Sequence, residues 1–217
     1  MLSRPPAGAP GRWAVDFRPS RDGFRFANSW PRGAPVRLAG VGLGRVYGGL
    51  CGGMAYEARR AWVAGRALPA DRAAPAGGPL ADRLWRAQLV SLQLPLGPLR
   101  YLLLQLPPLA AARRRVTLTR GLPRLRTALA AGRPALLGLV RTVSWDPRRV
   151  VEHHVVLGVG LAVHPDGTAE VAVYDPNHPG DDTVRITVAA DGSTGYSHRG
   201  DVVAFTVVGA GVIAARP

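Results

Sequence analysis

The chain has 217 residues, of which 47% are hydrophobic and 19% are charged, so it can bury a substantial core and predicts one globular domain. Its formal charge is +14, but all 28 basic residues are arginine, which is typical of GC-rich coding sequence as much as of polyanion binding. A single cysteine excludes an internal disulfide and suits a reducing compartment or a catalytic role.

Arginines are concentrated between Arg113 and Arg126, in the segment RRRVTLTRGLPRLR, which is the best candidate for contact with an anionic partner. No aromatic residues interleave with these arginines, so the stacking platforms of single-strand binders are missing. We expect a solvated basic face here, and we do not expect a nucleic-acid partner.

The first residues, MLSRPPAGAPGRWAVDF, contain no apolar core of the length that a signal peptide needs. The longest apolar stretch, from Leu99 to Ala112, is interrupted by Arg100 and two prolines and is too short to span a membrane. We therefore expect a cytoplasmic protein without a transmembrane segment, and the sequence leaves its oligomeric state open.

In chain order, residues 1–22 are rich in proline, arginine and glycine and predict a flexible or extended arm, followed by one domain over 23–217. A glycine-rich segment leads to Cys51, and helical periodicity from Met54 ends at Gly65. Further helices are predicted over 80–94, 99–106 and 123–131. After Gly132 the pattern becomes β-branched and predicts strands within 135–143, 153–163, 169–175, 183–189 and 201–213. The order indicates an α+β fold with a helical N-terminal half packed on a mostly antiparallel C-terminal sheet.

The segment YGGLCGGMAYEARRAW places Cys51 where a helix begins. A thiol there lies at the positive end of the helix dipole, which favours the thiolate. Glycines such as Gly49 and Gly52 would let a substrate carbonyl approach the backbone, where the Cys51 amide could donate to an oxyanion. The pattern therefore suggests a nucleophile, although an isolated cysteine is more often a small buried hydrophobic residue.

A thiol nucleophile needs a base and a group that orients the base, and His154 and Asp175 follow in the chain. The turn at His164–Gly167 (HPDG) makes the flanking strands a hairpin. With a two-residue loop His154 faces Asn177 and shares a sheet face with Asp175, so either residue could orient the imidazole. With a three-residue loop His153 takes the face of Asp175 instead.

The run His154-Val155-Val156-Leu157-Gly158-Val159-Gly160 resembles the H-A-V-x-x-V-G-Y strand of the papain-like cysteine peptidase superfamily, whose cysteine also begins a long helix. The Cys-Gly pair and Asp175-Pro176 are similar to the bacterial branch that cleaves double-glycine leader peptides. Matching segments cover about a third of the chain, roughly 45–62 and 133–180. The resemblance favours His154 over His153 and implies that Cys51 attacks an amide or ester carbonyl, His154 carries the proton and Asp175, or alternatively Asn177, holds the ring.

The family places an oxyanion-hole glutamine shortly before the cysteine, and Val46 occupies that position here. Tyr47, beside it, and Asn28, in the upstream segment GFRFANSWP, are the candidate replacements. Trp145 is a candidate wall of the substrate cleft, together with Gly49 and Gly52. The sequence therefore predicts a thiol peptidase or amidase acting on a peptide or another amide, and the main alternative is a catalytically inactive domain that binds peptides.

Three histidines close to the predicted site raise the question of a metal site. Cys51, His153, His154, Asp175 and His178 together could coordinate zinc, but neither CxxC nor HExxH spacing is present. We predict neither a metal nor a cofactor.

Overall fold

The structure is a computed structural model that describes residues 10–30, 33–38, 41–46, 49–93 and 96–208. The helices are α1 (Pro19–Asp22), α2 (Cys51–Val63), α3 (Pro79–Leu92), α4 (Leu96–Leu104), α5 (Ala110–Val116) and α6 (Leu122–Ala130). The strands are β1 (Gly11–Ala14), β2 (Ala34–Leu38), β3 (Val41–Val46), β4 (Ala135–Val140), β5 (His154–Val163), β6 (Ala169–Tyr174), β7 (Arg185–Val188), β8 (Thr194–Tyr196) and β9 (Ala204–Val207). Within the described part of the chain, no helix has the length and apolar character that crossing a bilayer requires.

The main sheet is antiparallel and contains seven strands. Six of them follow the order β8-β7-β6-β5-β4-β9, and β1 joins the upper part of β5 beyond the end of β4. Strands β2 and β3 form a separate two-stranded sheet ahead of α2. The architecture is therefore α+β with an antiparallel sheet, as the sequence predicts.

Both faces of the central strands are covered, which explains why β4 and β5 read as nearly continuous apolar runs. On one face α2 contributes Cys51, Ala55 and Ala58 to a cluster with Val155 and Leu157. On the other face α6 supplies Leu122, Leu125 and Leu129, which belong to the same cluster as Leu139 and Val156. The sheet is thus a shared middle layer, and the N-terminus of α2 lies against the start of β5.

Helix α3 packs closely on α2 because two glycines of α2 face it. A Cβ added at Gly53 would lie 2.1 Å from the Leu84 carbonyl oxygen, and one added at Gly52 would lie 2.1 Å from Ser91 Oγ. These glycines therefore serve the crossing of two helices. For Gly52 that role differs from the sequence interpretation, in which this glycine opens the backbone to substrate.

Helices and strands are less segregated along the chain than the composition suggests. Residues 11–14, within the segment predicted as an arm, form β1 and pair with Val163–Gly160 of β5. Phe17 is buried in the same cluster as Tyr174. The arm prediction fails for these residues because pairing and burial compensate for a local composition that favours no element by itself.

A second difference lies between α4 and α6, where the sequence analysis assigns no helix. Residues Ala110–Val116 form α5, and Thr117–Gly121 continue as a π-helical turn directly into α6. Arg113 explains part of this order, because its Nη1 donates to the carbonyl oxygens of Leu104 and Leu106 and so caps the end of α4.

Candidate active site

Cys51 is the first residue of α2 and is 6% exposed. The first N–H groups of a helix have no acceptor inside the helix, and two side chains supply one here. Asn28 Oδ1 accepts from the Leu50 amide at 2.7 Å, and Gln88 Oε1 accepts from the Gly53 amide at 2.8 Å. Between them lie the amides of Cys51 and Gly52, at the positive end of the helix dipole.

The His154 ring lies between the thiol of Cys51 and the carboxylate of Asp175. Its Nε2 is 2.6 Å from Asp175 Oδ1, and the ring lies close enough to the Cys51 side chain for each group to shift the pKa of the other. Since Asp175 binds Nε2, Nδ1 is the nitrogen left for the thiol. His154 and Asp175 are 5% and 1% exposed, so both residues, like Cys51, are buried.

The protonation states follow from burial and charge acting in opposite directions. Burial raises the pKa of Cys51, but the charge of His154 and hydrogen bonds from the His154 ring and the Val155 backbone bring that pKa below its ordinary value. Burial lowers the pKa of His154, but the charges of Asp175 and Cys51 raise it to about 10. At neutral pH these shifts favour a thiolate, an imidazolium and a carboxylate.

Asp175 is itself held in its charged form. Burial raises its pKa, but the charge of His154 and hydrogen bonds from His154, the Tyr196 hydroxyl and the Asn177 amide bring it well below the ordinary range. Tyr196 lies on β8 and donates to Asp175 Oδ2, the oxygen that His154 does not use. Both carboxylate oxygens are therefore satisfied, which fixes the direction in which Asp175 presents its charge.

Asn177 lies beside His154 but is oriented by other groups. Its Nδ2 is 3.4 Å from His154 Nε2, while its Oδ1 accepts from Asn28 Nδ2 at 3.3 Å. Asn28 Oδ1 also accepts from Trp30 Nε1 at 3.1 Å. Of Asp175 and Asn177, Asp175 makes the shorter contact with the His154 ring. The hydrogen bond between Asn28 and Asn177 connects the segment before α2 to the segment after β6.

His153 has a different environment from His154. Its Nδ1 accepts from the Arg141 amide at 3.2 Å, and its Nε2 is 3.2 Å from Gln105 Oε1, which gives the neutral Nε2–H tautomer. Burial lowers the pKa of His153 to about 4. The structure therefore brings His154, and not His153, to Cys51 and Asp175.

The choice between the two histidines is made by a β-bulge. The HPDG turn has a three-residue loop, with Gly167 at φ 82°, and the pairs next to it have the register that would put His153 on the face of Asp175. Val159 is an extra residue on β5 between the pairs Gly158–Val173 and Gly160–Ala172. This insertion restores the other register at the open end, where His154 shares the face of Asp175.

The other residues that the sequence suggests for the cleft and the oxyanion site have different surroundings. Gly49 lies beside the site at φ 78°, and a Cβ there would lie 2.5 Å from Asn28 Nδ2, so the position requires glycine. Trp145 is 68% exposed and is not among the residues that border the two cavities at the site, so its predicted role as a cleft wall stays a prediction. Gly52 faces α3, as described above. Tyr47 lies outside the described residues.

Two cavities flank the row formed by Cys51, His154 and Asp175. One of about 220 Å³ is bordered by Cys51 and has a mainly apolar wall that includes Trp85, Leu92 and Val151. The other, of about 390 Å³, is polar and is bordered by His154 together with Asn28, Asn177 and other residues. Gly49, Val151 and His153 border both cavities, so the two cavities are adjacent beside the Cys51–His154 pair.

Three residues that contact the site, Gln88, Tyr101 and Tyr196, are not predicted from the sequence. Gln88 and Tyr101 border the Cys51 cavity from α3 and α4, and Tyr196 comes from β8. Among the described residues, Tyr101 Oη is the buried side-chain polar atom that lacks a hydrogen-bond partner. No spacing in the sequence marks these positions, because each lies on an ordinary element far from Cys51 along the chain.

Other chemistries find less support in the described part of the chain. It contains no group of three or more histidine, cysteine, aspartate or glutamate side chains arranged to hold a metal ion. In the arginine-rich segment Arg113 is buried as a helix cap, and Arg126 is buried with its guanidinium 5.5 Å from the Trp13 ring centroid. Both arginines therefore have structural roles, which reduces the basic surface that the sequence suggests.

Fold and site together define an α+β protein with a cysteine, a histidine and an aspartate aligned at the start of a buried helix. Comparison with known proteins finds no matching family model, no matching curated protein and no matching solved structure. The geometry of Cys51, His154 and Asp175 is therefore the evidence on which a function can be proposed.

Proposed function

We propose that this protein is a thiol hydrolase of the papain-like class that cleaves an amide or ester bond through an acyl-enzyme. The observation that supports this proposal best is the His154 ring between the Cys51 thiol and the Asp175 carboxylate. A base that contacts the nucleophile, and is itself oriented by a third group, is the arrangement that nucleophilic catalysis requires.

In the first half of the reaction the Cys51 sulfur attacks the substrate carbonyl carbon. A C–S bond forms, and the carbonyl π electrons move to the oxygen, where the Cys51 amide at the helix start can donate to them. The C–N or C–O bond then breaks, and the leaving amine or alcohol takes its proton from the His154 imidazolium. A thioester on Cys51 remains.

In the second half His154 takes a proton from water as the water oxygen attacks the thioester carbonyl. The C–S bond breaks, the carboxylic acid leaves, and the thiolate–imidazolium pair is restored. Asp175 stabilises the imidazolium and keeps Nδ1 directed at the sulfur throughout. Peptides are the substrate class that the family resemblance favours, and a cytoplasmic location stays a prediction.

The pH dependence of Cys51 alkylation tests the activated thiolate. Below its pKa an ordinary thiol reacts with iodoacetamide about tenfold faster for each pH unit gained, because only the thiolate reacts. In the folded protein we expect a nearly flat rate between pH 6.5 and 8.5, while the same thiol in the guanidinium-unfolded chain should show the full increase. Because Cys51 is the only cysteine, mass spectrometry of the intact chain follows this one reaction.

Two variants sharpen this experiment. His154→Ala should restore a steep pH dependence, because burial alone raises the pKa of the thiol. His178→Ala is the matched control, since His178 lies in the turn after Asp175 and its ring packs at a tilt against His198, with 4.4 Å between the ring centroids. A steep dependence in the folded wild type would contradict the proposal.

The alternative is a papain-like domain that binds peptides without cleaving them. This alternative is favoured by the hydrogen bonds of Asn28, a candidate oxyanion donor. Its Oδ1 accepts from the Leu50 amide and from Trp30, and its Nδ2 already donates to Asn177 and not to a substrate. The same mass measurement separates the two functions: incubation with p-nitrophenyl butyrate should add a butyryl group to Cys51 in a hydrolase and leave a binding domain unmodified.

A further inference from the structure

Among the described residues that border the cavity beside Cys51, Gln88 is the one with a side-chain amide. Gln88 comes from the middle of α3, is 9% exposed, and borders this cavity together with Cys51. Most of the surrounding wall is apolar and includes Trp85, Leu92 and Val150. A polar group placed in such a wall contributes orientation and specificity to whatever binds there.

The Gln88 amide is fixed by the helix that carries the nucleophile. Its Oε1 accepts from the Gly53 amide at 2.8 Å, and the same oxygen would lie 3.0 Å from a Cβ added at Gly52. The side chain is therefore anchored within the first turn of α2, two residues from Cys51. This hydrogen bond also fixes the orientation of the Gln88 amide. Its oxygen is directed toward α2, and its nitrogen is directed away from α2.

The Gln88 nitrogen is left as a donor. Within the described part of the chain Nε2 has no hydrogen-bond partner, and it is not among the fully buried polar atoms that lack one. Its N–H groups are therefore available to a molecule that enters the cavity, next to the Cys51 amide. Cys51 and Gln88, which come from different helices, thus each bring N–H groups to the border of the same cavity.

The cavity also limits what the acyl group can be. Among the described residues that border it, none is an arginine, an aspartate or a glutamate, and His153 is held neutral as described above. Its volume of about 220 Å³ exceeds the ~150 Å³ of an engineered apolar cavity that holds benzene. An uncharged, largely apolar acyl group of at least that size therefore fits beside Cys51.

We propose that Gln88 donates a hydrogen bond from Nε2 to the carbonyl oxygen of an uncharged acyl group bound beside Cys51, and that this bond strengthens as the oxygen becomes an oxyanion. The inference rests on the proposed thiol hydrolase function. It gives the oxyanion site a side-chain donor from α3, in the absence of a glutamine shortly before the cysteine. The bond to the Gly53 amide fixes the donor before substrate arrives, which is the condition under which such donors are most effective.

The test compares Gln88→Glu with Gln88→Met. Glutamate keeps an oxygen for the Gly53 amide and stays compatible with the helix dipole, but loses the N–H donors. Methionine has a similar length and loses both. If Gln88 is an oxyanion donor, both variants should acylate Cys51 with p-nitrophenyl butyrate about 100-fold more slowly than wild type, mainly through kcat.

A merely structural role gives a different pattern, in which Gln88→Glu retains wild-type acylation and only Gln88→Met loses it together with thermal stability. Alkylation by iodoacetamide, which places no negative charge on a carbonyl oxygen, is measured on the same samples from pH 6.5 to 9.5. This profile corrects for any change that the new carboxylate makes to the Cys51 thiolate fraction. Acylation of Gln88→Glu at the wild-type rate after that correction overturns the assignment.

The two proposals fail in distinguishable ways. A flat alkylation profile with no acylation of the wild type by the ester overturns the Gln88 assignment and leaves the activated thiolate in place. A steep alkylation profile of the folded wild type overturns the hydrolase itself. An increase in KM with unchanged kcat in both variants also overturns the oxyanion role, because it would place Gln88 on the ground-state substrate only.

Discussion

Cys51 and His154 change their proton affinities in opposite directions when the chain folds. The pKa of Cys51 falls from an ordinary value of 9.0, while that of His154 rises from 6.5 to about 10. Above pH 6.5 the folded ring keeps a proton that the unfolded ring loses, whereas below pH 9.0 the folded thiol loses its proton more readily than the unfolded thiol. The two contributions to the pH dependence of stability therefore have opposite signs and offset each other.

Removing the thiol should expose the contribution of His154. In Cys51→Ala the folded state still binds a proton on His154, because Asp175 remains, whereas the unfolded state loses that proton above pH 6.5. A raised folded pKa gives stability that is present at low pH and lost as pH rises. The free energy of unfolding should fall by up to about 1.4 kcal/mol per pH unit above pH 6.5.

Urea denaturation of wild type and Cys51→Ala at pH 6.5, 7.5 and 8.5 measures this difference. His178→Ala again serves as a control and should follow the wild-type profile. Parallel profiles for wild type and Cys51→Ala would show that His154 is neutral in the folded protein, and they would count against the thiolate–imidazolium pair.

At the scale of elements, the contact between α2 and α3 determines where Gln88 lies relative to Cys51. Gly53→Ala would place a Cβ 2.1 Å from the Leu84 carbonyl oxygen, a backbone atom that cannot rotate away. We expect a loss of about 1–3 kcal/mol in the free energy of unfolding, together with slower acylation because the Gln88 anchor moves.

Gly77→Ala is the matched substitution, since a Cβ there meets no atom within 4 Å and the backbone is not in the left-handed region. It should change stability by less than ~0.5 kcal/mol. Chemical denaturation and the butyrylation rate are compared for both variants. Equal stability of the two would mean that α2 and α3 can separate without cost.

The elements around Cys51 and His154 are the part of the site that the sequence predicts well. A helix beginning at Cys51 and a hairpin closed by HPDG follow from glycine positions and β-branched runs. The bulge at Val159 does not follow, because Gly158-Val159-Gly160 is compatible with a regular strand and with a bulge alike. Gln88 is unpredictable for another reason: its role comes from the tertiary approach of α3 to α2.

At the scale of the whole molecule, the sheet includes a strand from the N-terminal segment that composition alone assigns to an arm. β1 covers residues 160–163 of β5, on the side where β4 covers 154–158. The Val15 amide also donates to the Val159 carbonyl at the bulge. The strand that carries His154 is thus held at its far end by the first described residues.

A truncated chain beginning at Gly23, near the boundary that composition predicts, should therefore be less stable and more prone to associate. It loses β1 and the buried Phe17, and it leaves unpaired N–H and C=O groups on β5. Thermal unfolding and size-exclusion chromatography measure both effects. A chain beginning at Pro10, which keeps β1 and α1, is the control, and equal behaviour of the two would contradict a structural role for β1.

The position of the single thiol has a practical consequence for spectroscopy. A trifluoromethyl group attached through Cys51 would stand at the first turn of α2, against the mainly apolar cavity and beside the Gln88 amide. With no second sulfhydryl in the sequence, its fluorine resonance would be free of background. The chemical shift would then report the hydration of the cavity, and its line width the exchange of side chains around it, in an otherwise unsubstituted chain.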